Sequence, residues 1–306
     1  MMLDGEDVWP RFLWGRYVKL CNDMPQSPWL IGDARKGKSS VHEVIADGVA
    51  RAGAAARAEG VKFHAAGRED IDVRMLGNGR PFMLDLGADG GARASAEDGG
   101  APPKPLRDVE AEINARRGLN GDGDVAVTSL RAATKAEWAG LQASTEERRK
   151  RYRCVVWAAS PIGAADVARL ERLCDVPLAQ RTPVRVLHRR ASLTRAKTLH
   201  ALRVVRRFGA GEAGAEAGAA RWALLELVCS AGTYVKEFCH GDLGRTAPSL
   251  ASLLGRAVDI LQLDVVGLEE DEDADGGAAD GAKRPADDAS ADDADRGAKR
   301  ARADNA

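Results

Sequence analysis

Apolar residues recur along this chain in short blocks, and the period within each block predicts the element it forms. Residues 1–40 gather Trp9, Phe12, Trp14, Tyr17 and Trp29 among Pro10, Pro25 and Pro28, and read as an aromatic entry segment. Ser39-Ser40-Val41 opens a helical stretch to Ala58, with Ser39 or Ser40 as N-cap and Glu43 as its capping-box partner. Val61 to Ala66 reads as a strand. Ile71–Leu76 and Arg80–Leu86 flank Gly77-Asn78-Gly79, a hairpin signal because these residues tolerate positive φ. Helical patterns cover Ser129–Arg151, Ile162–Leu173 and Ser249–Val258. Extended patterns cover Tyr152–Trp157, Val184–Leu187, Leu199–Phe208, Trp222–Ser230 and Asp259–Val266.

Hairpins and helices in this order, without regular strand–helix–strand repeats, predict an α+β fold. Residues 1–267 form the expected domain, with a Gly/Ala/Pro-rich insertion at 87–105 and smaller ones at 118–124 and 209–220. Residues 268–306 are Asp-, Ala- and Gly-rich and have too few large apolar side chains for a core. Lys283-Arg284 and Lys299-Arg300-Ala301-Arg302 in this tail resemble a bipartite nuclear-import signal or serve a charge-balanced solubilising tail; nuclear and/or cytoplasmic residence is expected.

The net charge of −1 conceals an asymmetry. The tail from Leu268 holds 13 acidic and 6 basic residues, so residues 1–267 carry a net +6, which suits a polyanionic partner. Five cysteines without a Cys-x-x-Cys pair indicate reduced thiols and no structural zinc. No apolar run approaches membrane-spanning length, and the acidic N-terminus is unlike a secretory or transit signal. The histidines show no ligand spacing, and neither a P-loop nor a Gly-x-Gly-x-x-Gly turn appears, so no metal, nucleotide or other cofactor is expected.

Chemistry is concentrated in a few places. Arg68, Glu69, Asp70 and Asp72 crowd a loop framed by apolar runs, where a partly desolvated carboxylate needs a cation. A solvated turn with local ion pairs is the plainer reading. Lys236, at the end of an apolar strand-like run, can supply that cation or merely snorkel from a strand end. Tyr152 follows a basic cluster and suits either stacking on a nucleobase or a core position with its hydroxyl at the rim. Arg181 to Arg207 holds nine Lys/Arg, among them Arg185, Arg189, Arg190, Arg195 and Lys197, and no acid. Such one-sign clustering points to RNA phosphates.

The longer motifs carry a resemblance. Gly67-Arg68-Glu69-Asp70-Ile71-Asp72-Val73-Arg74-Met75-Leu76-Gly77-Asn78-Gly79-Arg80-Pro81-Phe82, Arg16-Tyr17, Pro25 to Trp29, Gln180 to Arg190 and Ala231 to Thr246 are similar to the archaeal and eukaryotic tRNA pseudouridine synthases acting on T-arm uridines 54 and 55 ("Pus ten"). The resemblance spans most of residues 9–267. It implies a pseudouridine synthase fold, a mixed and mostly antiparallel sheet built from two related halves flanked by helices, with the cleft between them. It further implies tRNA as partner, Asp70 as catalyst, Tyr152 stacked on the flipped uracil and aiding proton movement, Lys236 aiming Asp70, and Arg68 filling the gap in the RNA. The family's N-terminal THUMP-type domain with its Cys-x-x-Cys zinc site has no counterpart here, so the catalytic half alone is matched. Two other readings stand beside it: a non-catalytic RNA-binding module, and metal-dependent hydrolysis through Asp70, Asp72 and Asp85. Oligomeric state leaves no trace in the sequence.

Overall fold

Strand β1 (Phe12–Lys19) alternates half-buried and buried positions, sending Leu13, Tyr17 and Lys19 to one face. It is the part of the expected 1–40 aromatic entry segment that pairs with a neighbouring strand on each side. The computed structural model describes residues 10–55, 57–87, 105–115, 124–137, 139–140, 148–209 and 220–268; the 87–105 insertion (beyond Gly87 and before Pro105) and the tail after Leu268 lie outside them.

Short strands β2 (Leu30–Ile31) and β3 (Ala34–Arg35) form a separate ribbon. The first helix, Val41–Arg51, starts at Ser40, whose hydroxyl accepts the Glu43 N–H. The Glu43 carboxylate turns back to the Ser40 hydroxyl at 2.6 Å instead of the N-cap amide. This helix packs on a second, Leu106–Ala115: a Cβ on Gly48 would stand 2.6 Å from Ile113, so the contact needs glycine there.

Strand β4 (Lys62–Ala65) falls in the expected Val61–Ala66 strand, whereas β5 (Val73–Asp85) corrects the expected hairpin. Residues 73–85 are one strand, pairing with β1 on both sides of a register shift: Tyr17 faces Arg80 and Lys19 faces Met75. Gly77 and Gly79 do take positive φ, at 62° and 74°, but they make a bulge within the strand. Because β1 runs past both segments, it captures them in line. Strand β6 (Val125–Ala133) covers the other edge of β1, so the start of the expected Ser129–Arg151 helix is strand.

The second half comprises β7 (Lys150–Ala158), β8 (Cys174–Arg181), β9 (Thr194–Phe208), β10 (Trp222–Cys229) and β11 (Thr246–Ala247), with β12 (Val258–Leu268) last. They join one ten-stranded sheet in the order β11-β8-β9-β10-β7-β12-β5-β1-β6, with β4 on β5. Strand β12 pairs antiparallel with β7 and parallel with β5, uniting strands from the two halves of the chain. The expected α+β class with a mixed, mostly antiparallel sheet is what the chain forms.

Two helical expectations and one extended one are adjusted. Helices Ala164–Leu170 and Leu250–Leu254 are shorter than their patterns, and Val184–Val186 is a 3-10 turn instead of a strand. Lys236 lies not at a strand end but in the first turn of a short helix, Val235–His240, which packs against β12.

Candidate active site

The loop from Gly67 to Asp72 hangs on buried polar side chains beneath it. Glu69 is buried, and its carboxylate accepts from Arg80 Nε at 2.8 Å and from the Tyr17 hydroxyl at 2.9 and 3.0 Å. Arg80 also donates to the Ala66 carbonyl, and Gln26 donates to the Gly67 carbonyl and the Tyr17 oxygen. Lys19 then donates to the carbonyls of Met24, Asp70 and Ile71 at 2.7, 3.1 and 3.3 Å. Burial lowers the Lys19 ammonium from its ordinary value, with Glu69 the largest opposing charge. Burial also raises the Tyr17 phenol well above its own, reinforced by Glu69, so Tyr17 stays a donor. With Glu69 pinned inward, its neighbour Asp70 is left half-buried at the surface of the loop.

The cations facing that loop come from the other half. Gln180 grips both the N–H and the carbonyl of Tyr234 at 2.9 Å, and Lys197 holds the Ala231 carbonyl at 2.6 Å. These bonds fix the turn that launches the Val235–His240 helix. Lys236 Nζ stands 3.7 Å from Asp70 Oδ2, but its hydrogen bonds, at 2.6 and 2.7 Å, go to Asp72. Arg185 Nη1 donates to Asp70 at 2.8 Å, while its Nε donates to the buried Glu237 at 2.7 Å. The expected Asp70–Lys236 approach therefore exists, and Arg185 is the hydrogen-bonded partner. Burial pushes the Asp72 carboxyl up, yet the bonds and charge of Lys236 outweigh it and leave the group below its usual range.

Tyr152 lies in β7 opposite Val265, which in turn faces Met75 of β5, so it stands beside the junction of the halves. It is 8% exposed, and burial raises its phenol. Lys150, two residues earlier on the same face, is also buried; desolvation and then the charge of Arg80 bring it down to about 8.

Arg68 is exposed. The basic run is not a uniform phosphate-facing surface, because several of its cations are engaged within the fold. Arg185 serves Asp70 and Glu237, Arg195 donates to Thr182 at 2.9 Å, Lys197 holds the turn, and Arg203 pairs with Glu226. Arg181, Arg189 and Arg190 are exposed, with Arg189 5.7 Å from the Trp29 ring. Asp85 lies at the far end of β5, bonded twice to Arg11, so it joins no set with Asp70 and Asp72. The roles of Tyr17, Lys19, Gln26, Glu69, Arg80, Gln180 and Glu237 went unread in the sequence. Period-two burial in β1, with Tyr17 and Lys19 on the side of Leu13, was the one local signal for any of them.

The sequence profile described as "Pus10, C-terminal" matches residues 12–269. The tRNA pseudouridine synthase Pus10 of Homo sapiens is 34% identical over 260 residues, covering 85% of this chain and 44% of that protein. The Pus10 of Methanopyrus kandleri is 37% identical over 276 residues, covering 85% and 56%. A solved Cbf5-Nop10-Gar1 complex aligns at a TM-score of 0.40 and 14% identity, over 83% of this chain and 48% of that one. The chain spans about half the length of the curated relatives it matches first. A profile match running from the first residue of β1 through the last of β12 takes in the whole sheet and the loop it positions: the chain belongs to the Pus10 family, in its C-terminal region.

Proposed function

We propose that the chain isomerises uridine to pseudouridine in tRNA, at T-arm position 54, 55 or both, with Asp70 as the catalytic carboxylate. The reaction breaks the C1′–N1 bond, forms C1′–C5, and carries the C5 proton away while N1 regains one; nothing is oxidised or reduced. Asp70, held by a guanidinium at 2.8 Å and near an ammonium at 3.7 Å, is suited to act at the ribose as nucleophile or base. That geometry is the observation that carries the reading. Tyr152 stacks on the extruded uracil and, with its phenol raised, serves as a donor and not as a base. Arg68 fills the vacated stack, and Arg181, Arg189 and Arg190 meet phosphates. The basic pairs of the tail act in nuclear import.

Incubation of the full chain with an unmodified tRNA transcript, followed by carbodiimide mapping, tests this. Pseudouridine is expected at 54 or 55, and Asp70→Asn should bring it to background while RNA binding persists. Binding without any product from the unaltered chain would favour the non-catalytic RNA-binding module.

A further inference from the structure

Resting on the isomerase reading, we propose that Arg185 and Glu237 form a positioning couple for Asp70, so that Arg185 works on the catalytic carboxylate and not on RNA phosphate. Glu237 is buried, and its Oε2 has no hydrogen-bond partner, so Arg185 Nε at 2.7 Å on Oε1 is what offsets its charge. A buried carboxylate with one oxygen unsatisfied is costly to leave without its cation, which holds the Arg185 guanidinium against Glu237 and beside the loop. The guanidinium uses two different edges on two carboxylates, Nε on Glu237 and Nη1 on Asp70, which fixes its plane. A lysine ammonium is a point charge and cannot reproduce that aim.

The surroundings assign the task to Arg185. Lys236 directs both its short bonds to Asp72, and Lys19 reaches only the Asp70 carbonyl. Among the described residues, the charged groups gathered at the Asp70 carboxylate are Arg185, Lys236, Asp72 through Lys236 and Glu237 through Arg185. The backbone leading into Arg185 is tied at two points: Val184 N–H donates to Asp242 at 3.1 Å, and Arg245 donates to the Thr182 carbonyl at 2.6 Å. Glu237 and Lys236 are adjacent in one helix, so that helix sets both cations that meet the loop.

Single-turnover rates and tRNA Kd, measured on the full chain, test the couple. Arg185→Lys and Glu237→Gln should each slow the saturated single-turnover rate, Arg185→Ala by about a hundredfold, as expected for a misplaced catalytic group. In each variant Kd should stay within about threefold and the salt slope of binding should not change. The double variant Arg185→Ala/Glu237→Gln should be no slower than Arg185→Ala alone, because both changes remove one device. A phosphate ligand behaves oppositely: Arg185→Ala would then weaken binding, lower the salt slope by about one and leave the saturated rate intact, overturning the couple. Additive losses in the double variant would overturn it as well. Absence of product with the unaltered chain would instead defeat the isomerase reading itself.

Discussion

Lys150 sits in β7 with its ammonium lowered to about 8 by desolvation and by Arg80 and Lys197, which Glu69 offsets only in part. In the unfolded chain it titrates near its ordinary 10.5. Between these values the unfolded state binds the extra proton, so stability rises with pH across that window and the full penalty, about 3 kcal/mol, applies below it. Lys150→Met should therefore raise the Tm at pH 7 by several degrees and flatten the pH dependence of Tm between about 8 and 10.5. A lower Tm at pH 7 would contradict the desolvation account. The sequence places Lys150 in a basic cluster ahead of Tyr152, and nothing local marks it as inward-facing. Its orientation follows from the pairing of Lys150 with Cys229 and of Tyr152 with Leu227 across β10.

Strand β5 depends on its two glycines for a reason that the Asn-Gly pattern conceals. A Cβ on Gly77 would lie 2.1 Å from the Val266 carbonyl oxygen of β12, at a φ of +62°. Gly77→Ala must open the join between the halves or strain the backbone, and should cost about 2 kcal/mol or more in urea unfolding. Gly60→Ala, which meets nothing within 4 Å, is the control and should change little. Glycine-rich residues between two apolar runs look alike in a hairpin and in a bulge. The neighbouring strand decides between them, and β1 spans both runs. The same limit explains the Ser129–Arg151 pattern: β6 is strand because the free edge of β1 recruits it, whatever its helical periodicity.

Charge works differently over the full molecule. A body of net +6 favours a polyanion generally, but the side chains placed to meet phosphate differ from those that crowd the sequence. Replacing Arg181, Arg189 or Arg190 by Ala should each lower the salt slope of tRNA binding by about one, with nearly uniform loss across sequences. Arg203→Ala, whose guanidinium lies 3.5 Å from Glu226, should leave the slope close to its original value. Equal slopes for all four variants would contradict this division of the basic run.

Residue order was enough for the α+β class and for most strands of the second half, and it singled out Asp70 and Lys236 as candidates that the fold brings to 3.7 Å. Those features follow from local free energies: alternating burial, turn chemistry, and the cost of charge in an apolar frame. Folding alone selected which cation bonds which acid. Arg185 reaches Asp70 across 115 positions and Lys236 reaches Asp72 across 164, distances over which no periodicity carries information. Such contacts arise only when β12 enters between β5 and β7, because an ion pair depends on which strands become neighbours and not on the stretch of chain around either partner.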